Sequence, residues 1–359
     1  MNLPPDPRCF AAPNADPFVE AALALPAPSS AAHACLAGEH LAGLVRRYAD
    51  ALDAGQEAAL RAALAGAPSP GVWRTMAAAL DRAMDPVPGA VAARLFAIPI
   101  AILAGGRAGA HLSAALPDVQ RLCAVLRENR ALGPVMNFGL SNAMCGPDAL
   151  AALPWATVRA VALASDGASL DGGWSELPPE DLDVAGGEER VHLRFLMGAA
   201  VAPADAPTFL ETASAIATWG LPFTRELSAQ LKSDGASVVA IPRPPASLLQ
   251  AQAAGCVAAE ELGVQAFVSR ELRRFRSEIG EPEVGIAALT EGSLGLRFAS
   301  PFIEDRVCVH VRRLHPSEEW YDVLREAVQL LEECRIQNLR VEPHPVELVR
   351  FRAGTAAPH

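Results

Sequence analysis

The chain reads as an α+β protein, in which an N-terminal helical layer is followed by a mixed β-sheet with packed helices. Three observations predict it. Apolar residues recur at three- and four-residue spacing near the N-terminus, as in Leu41, Leu44, Val45, Tyr48 and Leu52. Strict alternation appears later in "VHLRFLM" and "RVCVHVR". The chain then closes on strands with a helix before the last one, an order that gives one sheet with helices laid across it.

Residues 1–30 hold seven prolines, Pro4, Pro5, Pro7, Pro13, Pro17, Pro26 and Pro28, so this stretch is expected to be a flexible tail or extended arm. Residues 31–90 form the helical layer: the periodic set above, then Leu60, Ala63 and Leu64, then "VWRTMAAALDRAM" after the turn at Pro68. Residues 91–165 read as an α/β segment. "RLFAIPIAIL" suits a buried strand, Val119 to Leu132 a helix, and Thr157 to Ala164 a second buried strand, which together imply a parallel pair. An acidic loop rich in Gly and Pro, residues 166–190, is the expected boundary.

Residues 191–346 form the α+β domain. Val191 to Met197 is read as a strand with one wet face carrying His192 and Arg194. Helical patterns follow over residues 205–218 and 224–233, then the short strand "SVVAIP", and then two helices, Pro245 to Leu262 and Val264 to Ile279, parted by Gly263. Val284 to Thr290 and Leu294 to Phe298 make a hairpin through Glu291, Gly292 and Ser293. A strand from Arg306 to Arg312, a helix from Pro316 to Glu333 and a strand from Ile336 to Val341 complete the domain, and residues 347–359 are a C-terminal tail.

Composition bounds the function. Hydrophobic residues make up 51% of the chain but aromatic ones only 5%, so the core must be built from Ala, Leu and Val. A formal net charge of −11 disfavours long-range attraction to nucleic acid or an anionic membrane, and neither partner is expected. Lys232 is the single lysine, so the abundance of arginine reflects codon bias before chemistry. The seven cysteines are scattered and never form CxxC, as suits a reducing cytoplasm and no metal site or cofactor. No apolar run is long enough to cross a bilayer.

Four stretches contain residue types that could do chemistry. "AILAGGRAGAHL" pairs a strand with Gly105, Gly106, Arg107, Ala108 and Gly109 and with a helix-like pattern beyond. Bare amides at a helix N-terminus could cradle a phosphate there. The glycine spacing matches neither a dinucleotide fingerprint nor a Walker loop, so a tight structural turn is the favoured reading. Cys145 precedes Gly146 and Pro147 at an expected helix start, where a thiol pKa can fall, with Asn137, Ser141 and Asn142 as hydrogen-bonding neighbours and His111 as a distant base. A buried, inert cysteine is the simpler expectation.

On "RVCVHVR", Cys308, His310 and Arg312 share one face, a solvated or helix-covered polar face by expectation and too few ligands for zinc. Arg270, Arg273, Arg274 and Arg276 form the densest basic patch, with Glu271 and Glu278 in reach to neutralise it. The sequence therefore favours a non-catalytic cytoplasmic binding or accessory protein that engages a protein partner. The alternative is an enzyme or binding protein for a phosphorylated or nucleotide-like small molecule. It would use Gly105 to Gly109 as an anion cradle, with His111, Cys145 or His310 for proton or thiol chemistry. The oligomeric state is not legible.

Overall fold

The structure is a computed structural model. It describes residues 17–25, 36, 38–45, 54–84, 91–106, 110–132, 135, 137–164, 180–184, 189–203, 216–231, 236–303 and 306–354. The fold is α+β, as the patterning predicts, and the chain divides into two compact units. One comprises residues 16–65 and 74–259; the other comprises 66–73 and the chain from 260 onward.

The larger unit is built on an antiparallel sheet of β1 (Val91–Gly106), β3 (Asn137–Cys145), β5 (Arg190–Pro203) and β6 (Ala236–Pro242). Their order is β3-β5-β1-β6. The long β1–β5 ladder aligns Val91 with Pro203 and Ala104 with Arg190. Phe96, Ile98, Ile100 and Ile102 on β1 point to one face, where they meet Leu196, Leu126, Trp219 and Phe223. Pro99 is tolerated inside this ladder because its missing N–H lies on the side where the β6 ladder has already ended, the same side on which its carbonyl accepts from the Arg243 N–H at 2.8 Å. A small ribbon of β2 (Ala110–Leu112) and β4 (Leu182–Val184) is the remaining strand pair among the described residues of this unit.

Several local expectations are corrected. Thr157 to Ala164 belongs to a helix, Trp155–Ala164, so the expected parallel pair does not exist and β1 is antiparallel to both neighbours. The run is short, apolar and Ala-rich, a pattern that periodicity alone cannot assign, and Pro154 supplies the carbonyl for the Val158 N–H at 3.1 Å. The wet face expected of β5 is also absent: Leu193 through Ala200 are buried, Arg194 included, because both faces of the strand are covered. Within the supposed N-terminal arm, Pro17–Leu23 is a helix burying Phe18, Val19, Ala21 and Ala22, with Pro17 in the first turn where its missing N–H costs nothing.

The two helices expected on either side of Gly263 are one helix, Leu248–Glu278. An interior glycine costs only about 1 kcal/mol relative to alanine, which a long packed helix tolerates. Gly255 earlier in the same helix has a positive reason, since a Cβ there would lie 2.8 Å from the Phe195 ring. The 224–233 pattern is part of a helix over Ile216–Gln230 that passes through Pro222.

The smaller unit holds a second sheet. β7 (Glu283–Leu289) and β8 (Ser293–Ala299) form the expected hairpin, with Gly292 at φ 78° in the turn. β9 (Val307–Arg313) pairs antiparallel with β8, and β10 (Asn338–Val341) parallel with β7, giving the order β10-β7-β8-β9. One face buries Val284, Ile286, Leu296 and Phe298 under Phe267, Phe275 and Trp320. The other is covered by Val346 and by Phe351 of a short helix, Leu348–Ala353, where a tail was expected. The helix expected from Pro316 begins at Trp320, since Glu318 turns back to accept from the His315 N–H at 2.7 Å.

Candidate functional site

Gly105 and Gly106 are the last two residues of β1, paired with Ser237 and Ala236 of β6, and Arg107, Ala108 and Gly109 lie outside the described residues. The next described element is the strand β2 and not a helix. The helix N-terminus that would give an anion cradle its positive end is therefore not next to the glycines. Gly105 instead accommodates Glu189, whose Cγ would lie 2.8 Å from an added Cβ.

Cys145 ends β3 at 2% exposure, directly before the short helix Pro147–Ala152. Its thiol faces the Phe195 carbonyl at 3.7 Å. Burial pushes the thiol up to about 11, the reverse of the shift a nucleophile needs. Asn137, Ser141 and Asn142 do not serve it. The β3–β5 register slips between Leu140 and Met144, and the resulting bulge sends the Asn142 carbonyl to the Leu116 N–H at 2.7 Å and the Ser141 hydroxyl to the Ala143 carbonyl.

The charges around Cys145 belong to Glu180 and Arg194, which the sequence does not single out as a pair. Arg194 is 6% exposed. Its guanidinium donates to the carbonyls of Glu180, Asp181 and Leu193 at 2.9, 3.1 and 2.8 Å and lies 3.2 Å from the Glu180 carboxylate. Glu180 in turn lies over Gly146, where any side chain would collide with its carboxylate. This is a clamp that fastens the segment before β4 onto β5, with most of the donors of one arginine used on backbone.

His111 on β2 meets Asp181 across the ribbon, Nε2 to Oδ2 at 3.0 Å. Asp181 also accepts from the Ala114 N–H at 2.7 Å, and that bond, followed by the His111 contact, holds its carboxyl below the usual range. The pair is exposed and belongs to the same segment as the clamp.

His310 belongs to the smaller unit. Its ring stacks on Phe267 with centroids 5.1 Å apart, and burial lowers its pKa. The polar face of β9 is helix-covered: Cys308 meets Glu271 and His310 meets Phe267, both on the helix over Leu248–Glu278, while Arg312 reaches the turn after β9. There Arg312 and Glu318 form a buried ion pair at 2.6 Å. The basic patch is largely neutralised on its own helix and just beyond its end, with Arg270 on Glu271 at 2.9 Å and Arg276 on Glu281 at 2.7 Å. Arg274 lies within 3.8 Å of Glu271 and 3.9 Å of Glu278, and Arg273 is exposed. Among the described residues no group of three metal-ligating side chains converges.

The surface that remains is the edge of the larger sheet. Among the described residues β6 is an end strand, "ASVVAIP", with no charged residue and its only proline at the last position. Val238 and Ala240 face the core. Val239 and Ile241 face outward at 47% and 36% exposure. Val239 pairs with Leu103 and Ile241 with Ala101, so the exposed side chains continue an apolar sheet face inward. The sequence pattern locates this strand but carries no signal for its edge position, because strand order depends on partners distant in sequence. No known protein family, curated protein or solved structure matches this chain. Among the described residues no helix is long and apolar enough to cross a membrane.

Proposed function

We propose that the protein is a non-catalytic binding protein that engages a protein partner, the partner adding an extended segment to the edge of β6 that no other described strand pairs with. The observation that carries this reading is an edge strand without the usual defences. Edge strands are ordinarily blunted by charges, bulges or an interior proline, and β6 has none of these over Ala236 to Ile241. Backbone bonding along the edge would supply affinity, and Val239 with Ile241 would grip alternate apolar side chains of the added strand.

The state of the candidate nucleophile supports a non-catalytic role, since a sealed thiol with a raised pKa is an inert core residue. A protein partner is favoured over nucleic acid because three of the four arginines of the basic patch, Arg270, Arg274 and Arg276, are paired with Glu271, Glu278 or Glu281. The free thiols at Cys123, Cys145, Cys256, Cys308 and Cys334 fit a reducing cytoplasm.

A displayed library of short extended peptides, selected against the wild type and against the V239K/I241K double variant, tests the docking mode. Enrichment of segments with alternating apolar residues by the wild type alone is expected. Equal enrichment by both proteins, or none by either, overturns it.

A further inference from the structure

The smaller unit contains a cavity of about 420 Å³ on the sheet face beneath the helix Leu348–Ala353. Strand register fixes its floor. Gly285 of β7 lies between Arg297 of β8 on one side and Arg340 of β10 on the other, so two guanidinium stems flank a position without a side chain. An added Cβ at Gly285 would meet only Phe351 at 3.6 Å and the Arg297 Cβ at 3.9 Å, ordinary contacts, so the glycine is open floor and not a tight approach.

The two arginines differ. Arg340 is paired with Glu342, Nε to Oε1 at 2.9 Å. Arg297 makes no hydrogen bond or ion pair with any described residue, and its Nε is buried without a partner. A buried donor on an ionised group costs more to leave unmet than an ordinary one, so its environment calls for an acceptor. The guanidinium lies against the left-handed turn at Gly354, where an added Cβ would come within 2.5 Å of Nη2.

We infer that this cavity binds a small organic monocarboxylate, its carboxylate on the Arg297 guanidinium and its apolar body against Phe351 and Val346. The planar fork of an arginine matches a carboxylate in two parallel bonds. Glu283 and Glu342 also line the cavity and bring its formal charge to zero against Arg297 and Arg340, so a monocarboxylate on the unpaired guanidinium adds a single negative charge, whereas a dianion such as phosphate adds two beside two carboxylates. The volume lies in the range of small-molecule sites. The site is independent of the β6 edge.

The test uses three probes: isovalerate, isobutylamine, which replaces the carboxylate by an amine, and inorganic phosphate. Binding to the full chain is followed by NMR shifts of the Gly285 and Gly354 amides. Saturable binding of isovalerate in the millimolar range or tighter is expected, with isobutylamine and phosphate at least tenfold weaker. Arg297→Met should weaken isovalerate at least tenfold. Gly285→Val, which adds bulk to the open floor, should do the same while keeping the wild-type fold by near-UV circular dichroism. Failure of isovalerate to bind, equal binding of isobutylamine or phosphate, or wild-type affinity in a folded Gly285→Val protein overturns the assignment.

Discussion

Lowering the pH from 7 to 5 should remove about 2 kcal/mol of stability through His315 alone. Its ring is packed edge-on against Trp73 with centroids 5.1 Å apart, and Nδ1 lies 3.1 Å from the Ser317 N–H and 2.8 Å from its hydroxyl. Burial lowers its pKa to about 4. An unfolded chain would titrate near the ordinary value of about 6.5, so the unfolded state takes up the proton first as the pH falls. The folded pKa is the depressed one. Stability is thus complete above about pH 6.5 and is lost progressively down to about pH 4, a total of about 3 kcal/mol, since each pH unit between the folded and unfolded values is worth about 1.4 kcal/mol. Roughly 2 kcal/mol of that falls between pH 7 and 5, above the range where most carboxylates protonate. Urea unfolding of the wild type and of His315→Asn, which keeps an acceptor for Ser317, isolates the contribution from His192 and His310, whose pKa values burial also lowers. The wild type should lose about 2 kcal/mol more than the variant between the two pH values. A gap between the proteins that does not change with pH would refute the argument.

Two further outcomes rest on buried polar groups. Arg312→Met leaves the Glu318 carboxylate, 6% exposed in its side chain, without its cation, and should cost about 3–5 kcal/mol by urea unfolding. The double replacement R312M/E318L should recover much of that loss, and a double variant as unstable as the single one would show that the pair is not the cause. At pH 8 iodoacetamide should leave Cys145 unmodified in the folded protein while the more accessible Cys256 and Cys334 react, because a thiol near 11 is only about one part in a thousand ionised. Peptide mapping that finds Cys145 labelled as fast in buffer as in urea would refute this.

The elements that can be read from the sequence are those whose signals are local. The β7–β8 hairpin announces itself through alternation on either side of Gly292, and the Trp320–Glu333 helix through its apolar stripe. Thr157 to Ala164 cannot be assigned that way, because a short apolar run carries no period. Gly263 has less breaking power than its place between two helical patterns suggests, since one interior glycine costs little in a packed helix. Alternation on its own makes Arg194 solvent-facing. It reports which face a residue shares and not whether another layer covers that face, and here both faces of β5 are buried.

The candidate sites are less legible than the fold for the same reason. Each depends on a pairing between residues far apart in sequence. The edge character of β6 follows from β1 accepting β5 on its other side, from a strand that begins far along the chain at Arg190, and the cavity exists because β10 lies parallel to β7 and sets Arg340 beside Gly285. Neither arrangement leaves a spacing motif. The signal that the sequence does hold is a mismatch in chemistry: an arginine at 297 inside an otherwise apolar, glycine-containing strand, "SLGLRFA". An arginine in such a strand must find an anion or reach water. The Nε of Arg297 is buried without a partner and none of the described carboxylates pairs with the guanidinium, and on that mismatch the proposed carboxylate site rests.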